Sequence, residues 1–476
     1  MVNLKRLSWA MLALSLAGCV SQQATFQAGD TTQAVAVSSD GRVQEFMLDN
    51  GMKVIVKTDH RAPVVVSQVW YKVGSSYEYD GITGVSHVLE HMMFKGTKDV
   101  VPGEFSRIIS AKGGSENAFT GRDYTAYFET LSKQHLETAL KLEADRMRNL
   151  VLDPGEFAKE VEVVKEERRL RTEDKPTGLT YETFNAVSWR SSPYRNPVIG
   201  WMNDLDHMTV DDLAAWYKRW YAPDNATLVV VGDVEPGEVL ELAQRYFGPL
   251  KADNMAPVKP AMEPVQHGLT RVEVKLPARQ PYLMMGYKTP IVGTADAEWE
   301  PYALYVLSAI LDGGSSARLS RELVRGSRIA ASVDVDYSPY SRLSGMMMFD
   351  GTPTDGHSTA ELEQALIAQV ERLKTEPVTA GELERIVTQL VAGKVYEQDS
   401  MFYQAMQIGM LETVGLDWRL ADQELERVKS VTPEQVQAVA KKYLTEERLT
   451  VAVLKPLPMD NGKGGANMPK GGRHGA

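Results

Sequence analysis

The sequence predicts an α+β fold of two similar domains facing each other around a chamber. Three observations lead there. The chain has 476 residues, more than one hydrophobic core ordinarily organises, so two or more domains of about 100 to 200 residues each are expected. Period-two alternation and helical periodicity occur together in its first half, which is an α+β pattern. Shifting the sequence against itself by 432 − 209 = 223 positions lays residues 209–231 over 432–454, with Leu213 over Val436, Lys218 over Lys441 and Thr227 over Thr450. Each copy reads as a threonine cap, an amphipathic helix with basic residues near its end, and a β-rich strand, so structural units are repeated and not composition alone.

The elements follow in order. Lys5 and Arg6 precede an apolar run over residues 9–17, too short to span a bilayer, that leads into Leu16-Ala17-Gly18-Cys19. That tetrapeptide resembles the lipobox of bacterial lipoproteins, in which the cysteine is lipidated and becomes the new N-terminus. Residues 1–19 are therefore expected to be a signal, with Cys19 the lipid-anchored residue holding the protein to a membrane of the bacterial cell envelope. Val20, where an aspartate would resemble an inner-membrane retention signal, points to the outer membrane, facing the periplasm. Cys19 is the only cysteine, so no disulfide within the chain is available for stability. Residues 20–40 are polar and read as a flexible tether. Charged residues at 24% against 43% hydrophobic describe a body that folds in water, and the net charge of -11 disfavours nucleic acid as a partner.

The first domain is expected over 41–255. Asn50-Gly51 between alternating runs predicts a hairpin over 43–57, and 64–73 reads as a further strand. Helical periodicity covers 84–95, 103–112, 133–150, 156–171 and 209–221, followed by a strand over 226–232. Prolines and small residues break periodicity between about 251 and 266, placing a linker over 256–266. A second, similar domain follows over 267–456, and the Gly- and Lys-rich segment 457–476 reads as a disordered tail.

One motif carries chemistry. In Ser86-His87-Val88-Leu89-Glu90-His91-Met92, two histidines four apart project from the same helix face and fit one Zn²⁺. Val88, Leu89, Met92 and Met93 imply a largely buried helix, on which His87, Glu90 and His91 would be costly without a partner such as a metal. Glu90 is placed to take a proton from water acidified by the metal, the chemistry of peptide hydrolysis. A catalytic zinc needs a third protein ligand and one open position. Glu156, Glu160, Glu162, Glu166 and Glu167 crowd the segment 156–169. Periodicity narrows the choice to a shared face for Glu160 and Glu167 without choosing between them.

With the inverted His-x-x-Glu-His motif and the Glu-rich helix in place, the sequence resembles the M16 metallopeptidases, the group of pitrilysin, insulin-degrading enzyme and the mitochondrial processing peptidase. The resemblance implies that each domain is a mixed β-sheet with helices packed on one face. It implies Glu167 as third zinc ligand, at 167 − 91 = 76 residues past the second histidine, with Glu160 supporting. Gly113-Gly114-Ser115-Glu116-Asn117-Ala118-Phe119-Thr120 looks like the family's edge strand, which makes Asn117 and Ala118 substrate-binding candidates. The segments around Pro193-Tyr194-Arg195 and Trp216 to Pro223 resemble the family's first half and read as core and packing residues. The second domain, around 307–314, is similar to the family's metal-free domain. Arg325 matches a substrate-binding arginine, but Ala331 stands where the resemblance expects a tyrosine. The implied function is a zinc endopeptidase for peptides or unfolded segments, aided by a metal-free homologous subunit or a second copy. The alternative is an inactive scaffold or assembly lipoprotein; a structural zinc site would need a fourth ligand, and none is evident.

Overall fold

The computed structural model describes residues 35–38, 40–259 and 261–459. The expected signal with Cys19, the tether up to residue 34 and the tail from residue 460 lie outside the described residues. No described helix is long and apolar enough to cross a membrane.

The first sheet contains β1 (Ala36–Val37), β2 (Val43–Met47), β3 (Lys53–Thr58), β4 (Val64–Tyr71), β5 (Ser115–Thr120), β6 (Thr125–Ser132) and β7 (Ala226–Gly232), in the order β1-β2-β3-β7-β4-β6-β5. The second contains β8 (Thr270–Pro277), β9 (Tyr282–Thr289), β10 (Ala330–Asp336), β11 (Gly345–Pro353) and β12 (Leu449–Leu457), in the order β8-β12-β9-β11-β10. Without β1 and β2, the first order is the second position for position. In each sheet a parallel pair, β3 with β7 and β8 with β12, adjoins an antiparallel remainder. β7 reads Ala-Thr-Leu-Val-Val-Val-Gly and is buried throughout, as a central strand covered on both faces must be.

The first half contributes eight described helices: α1 (Val85–Met92), α2 (Glu104–Ala111), α3 (Leu136–Asn149), α4 (Pro154–Arg168), α5 (Pro176–Ser188), α6 (Met202–His207), α7 (Val210–Trp220) and α8 (Pro236–Tyr246). The second half contributes six: α9 (Glu300–Asp312), α10 (Thr359–Thr375), α11 (Ala380–Glu397), α12 (Met401–Thr413), α13 (Leu420–Lys429) and α14 (Pro433–Tyr443). The repeated caps are real structures. Thr209 and Thr432 each close a capping box at the start of α7 and α14, receiving the N–H of Asp212 and of Gln435.

Each sheet packs its own helices on one face around its own core. The other face would expose a row of large apolar side chains, and each half covers the other's. α12 lies on β4 and β7, where Ala405 and Ile408 meet Ile55, Val66, Trp70 and Val229. α5 lies on β8, β9 and β12, where Phe184 meets Met284 and Ala452. Along this seam the space between the halves is filled by two helices, one from each. Both contacts are close. A Cβ on Gly409 of α12 would stand 2.1 Å from Trp70 Nε1, and one on Gly286 of β9 would stand 2.7 Å from Phe184 Cζ.

Candidate metal centre

α1 begins at Gly84 with φ 89°, a left-handed residue whose Cβ would stand 2.6 Å from the Ile199 carbonyl, so glycine is required there. No side chain of the capping residue serves the helix. The Glu78 carboxylate instead accepts the N–H of Gly84 at 2.7 Å and of Ser86 at 2.8 Å. Asp204 fixes the approach by accepting from the Thr83 hydroxyl at 2.6 Å and from the N–H of Gly81 and Thr83. Val85, Val88, Leu89 and Met92 are buried in the core of the first half, which turns His87, Glu90 and His91 outward, toward α4 and the edge strand β5.

α4 supplies the carboxylates. Asp153 caps it through the N–H of Gly155 and Glu156, Pro154 takes the first turn, and Phe157, Val161 and Val164 face the core. Three of its five candidate acids look away: Glu156 pairs with Lys159, Glu162 with Lys165 and Glu166 with Arg169, each three residues on. The other two reach the histidines. Glu167 Oε2 stands 3.6 Å from His91 Nε2 and 3.8 Å from His87 Nε2, while Glu160 Oε2 is 3.2 Å from His91 Nδ1. Lys95 holds the other Glu160 oxygen at 2.5 Å, and Arg171 the other Glu167 oxygen at 2.7 Å.

Among the described residues, His87, His91 and Glu167 are the one group of three or more such side chains arranged to hold a metal ion, with ligand atoms within 4.8 Å of one another. Ligands about 2.1 Å from a tetrahedral zinc lie about 3.4 Å apart, close to the spacings found here. Two imidazoles and a carboxylate are also a donor set of catalytic zinc, and Glu160 against the far nitrogen of His91 is the outer contact that fixes a ligand's tautomer. The trio therefore fits zinc. Side-chain exposures of 12% for His87, 22% for His91 and 18% for Glu167 leave it reachable from solvent.

Electrostatics follow the same lines. Burial and the neighbouring His91 pull His87 down to about 4, so it is a neutral donor at neutral pH. Burial also works against the charged form of His91, but Glu167 and Glu160 outweigh it and raise the imidazole. Glu167 is lowered, chiefly by His91. Burial raises Glu90, partly opposed by the Thr120 hydroxyl, which donates to Glu90 Oε2 at 2.5 Å.

Thr120 ends β5, the outermost strand of its sheet, so the strand that orients Glu90 also presents an unpaired edge. On that strand the N–H of Ala118 is met by the Asn117 side chain, Oδ1 at 2.9 Å. Arg325 lies on a π-helical turn, Ser320–Gly326, and donates to the Ser315 carbonyl; no hydrogen bond, ion pair or ring contact ties it to the metal trio among the described residues. Ala331 is exposed on β10, at a register shift between Ala330 and Ser332. Tyr194, Trp216, Trp220 and Tyr221 are core residues. Thr120, Arg171 and Glu78 were not anticipated. Arg171 is signalled by its place four residues after Glu167; nothing in the sequence points to Glu78.

Models of two family domains match the chain: Insulinase (Peptidase family M16) over residues 53–200 and Peptidase M16 inactive domain over 207–390. The zinc protease PqqE of Helicobacter pylori is 35% identical over 343 residues, 71% of this chain and 76% of that protein. The crystal structure of a protease from Helicobacter pylori superposes with a TM-score of 0.83 at 30% identity, covering 87% of this chain and 99% of that one. The periplasmic protease PqqL from Escherichia coli shares the fold, with a TM-score of 0.74 at 17% identity, and 92% of this chain covers 52% of it. A metal-fitting trio drawn from an inverted His-x-x-Glu-His helix and from α4, a sheet order repeated in both halves and these matches lead to one conclusion: the chain belongs to the M16 family of metallopeptidases.

Proposed function

We propose that the protein is a zinc-dependent endopeptidase for peptides or unfolded protein segments, with His87, His91 and Glu167 as zinc ligands and Glu90 as general base. The observation that carries this is the convergence of the trio and Glu90 beside the free edge of β5. Zinc bound there supplies Lewis acidity, which acidifies water and polarises a carbonyl. The chain's own residues do the rest. An extended segment pairs with β5 through backbone hydrogen bonds, displacing the Asn117 side chain from the Ala118 N–H, so shape is read more than sequence. Glu90, held by Thr120, takes the proton from the attacking water and delivers it to the leaving amine. Glu160 and Arg171 keep His91 and Glu167 in place.

Among the described residues, neither position that the resemblance assigns to the substrate carbonyl offers it a free donor as negative charge develops. Ala331 has no phenol, and Arg325 is engaged with Ser315. Because the chain spans about half of PqqL, we propose that a metal-free homologous subunit or a second copy completes the site. The proposed setting is the envelope, through a lipid on Cys19; Cys19→Ser should release the protein from the membrane fraction.

The test compares the parent protein with Glu90→Gln for metal content and cleavage of a quenched peptide library, with and without a co-purified partner. Zinc in both and cleavage only in the parent supports the proposal. Zinc in both and cleavage in neither, whatever the partner, replaces it with the scaffold reading.

A further inference from the structure

The turns of the two corresponding hairpins, β5–β6 and β10–β11, grip each other. Asp123 lies in the first turn and Arg342 in the second, 219 residues apart and so near the repeat offset. Arg342 donates from Nε to Asp123 Oδ1 at 3.3 Å and from its backbone N–H to Asp123 Oδ2 at 3.1 Å. Its Nη2 reaches the Ser76 carbonyl at 3.0 Å and the Ser76 hydroxyl at 2.8 Å, and the guanidinium lies 4.1 Å from the centre of the Tyr77 ring. Ser76 in turn donates to Asp123 at 2.6 Å, and Tyr194 donates to Asp123 while accepting the N–H of Leu343 at 3.1 Å. Asp123 and Tyr194 are buried, and the Arg342 side chain is 16% exposed. One cation from the metal-free half is thus enclosed by the first half.

Two short routes lead from this contact to the metal centre. Tyr77 adjoins Glu78, whose carboxylate holds the first turn of α1 by the N–H of Gly84 and Ser86, and Ser86 adjoins His87. Asp123 follows Thr120 by three residues, and Thr120 holds Glu90. Backbone bonds from Ser75 to the Gly121 carbonyl and from Ser76 to the Arg122 carbonyl join the two routes. We propose that Arg342 is a positioning residue: through Asp123 and Ser76, the metal-free half sets the helix that carries both histidines and the strand that orients Glu90. Removing the guanidinium leaves the Asp123 carboxylate buried without its cation and frees both routes to shift. The zinc part of the test rests on the proposed metal site; the exchange part does not.

The test uses the full chain with Arg342→Met and Arg342→Lys. Glu412→Gln serves as control, because it breaks a different contact between the halves, that of Glu412 with Lys53 on β3, away from β5. Zinc affinity is measured by competition with a chromophoric chelator, and amide hydrogen exchange at Gly84 and Ser86 is followed in the metal-free protein. Arg342→Met should weaken zinc binding about tenfold, the scale of losing an outer contact of a metal ligand, and speed exchange at both amides by a similar factor. Arg342→Lys should fall between Arg342→Met and the parent. Glu412→Gln should lower the melting temperature while leaving zinc affinity and both amides within about twofold. The inference is overturned if Arg342→Met changes only the melting temperature, or if Glu412→Gln disturbs zinc and the two amides equally. Should Arg342→Met not fold, Arg342→Lys decides: parent-like zinc affinity and exchange overturn the inference. A parent chain that binds no zinc refutes the proposed function, and the exchange comparison still tests Arg342.

Discussion

Trp70 against Gly409 and Phe184 against Gly286 are the same contact made twice with the parts exchanged. In the first half the sheet supplies the ring and the borrowed helix the glycine; in the second the helix supplies the ring and the sheet the glycine. Duplication kept the requirement for a close helix-on-sheet approach and left open which side fills it. The helices on the other faces diverged more. α1 presents two histidines and a glutamate toward α4 and the edge strand β5, whereas α9, in the same topological place, is buried almost all round and carries no histidine. In the proposed peptidase, one half carries the chemistry and the other serves as core and support.

Substitutions sharpen or break that comparison. The largest effect is expected at the metal centre: Glu90→Gln should lower kcat by about 10² to 10⁴-fold with zinc retained, the range of a lost general base. Ser308→Ala on α9 should leave kcat within about twofold, and a comparable loss there would show that the second half is not free of chemistry. At the seam, Gly409→Ala should cost about 3 kcal/mol, because the new methyl meets the rigid Trp70 indole. Gly286→Ala should cost less, about 2 kcal/mol, since the Phe184 ring at 2.7 Å is less crowded than the Trp70 indole and the other two neighbours, the Met346 and Met348 sulfurs, give way. Denaturation midpoints of the two proteins check this, and equal losses would erase the asymmetry. Next, Thr120→Val should lower kcat about tenfold while Thr120→Ser retains most of it, the scale of one hydrogen bond to a charged group. A raised KM with unchanged kcat would place Thr120 in substrate binding instead.

The smallest effect concerns acid. Glu263, in the linker, accepts the N–H of Arg190, Ser191 and Ser192 and the Lys288 ammonium. Burial opposes its charge, but these four donors win and hold the carboxyl at about 2, against an ordinary 4.5. Its folded value is depressed, so its contribution is present above pH 4.5 and is lost as pH falls from there toward 2. Melting curves across that window should fall less steeply for Glu263→Gln than for the parent. Parallel curves would remove Glu263 from the acid sensitivity of the seam.

Much of the first half was legible in order, because its strands alternate and its helices present one apolar stripe. α5 escaped for physical reasons. It packs on the second half's sheet while Tyr181 and Val187 stay exposed, and Pro176 and Gly178 open it, so no single stripe marks it. α9 is apolar on nearly every side and carries no period to read. In the metal centre, the histidine pair was visible from spacing alone. The proposed third ligand was not, since five glutamates share one helix: basic residues three positions on engage Glu156, Glu162 and Glu166, but only the folded geometry shows that Glu167, and not Glu160, faces Nε2 of both histidines. Glu78 and Arg342 act across folds of the chain that no local pattern records.

The borrowed helices also have a meaning in time. The first sheet is complete once residue 232 has been made, yet α12, which covers Trp70, begins only at residue 401. At about 5 to 20 residues per second, the intervening 401 − 232 = 169 residues take roughly 10 to 35 s to synthesise. A first half that folded within that interval would hold a finished but uncovered apolar face, so a chain exported as a lipoprotein gains by staying unfolded until both halves are present.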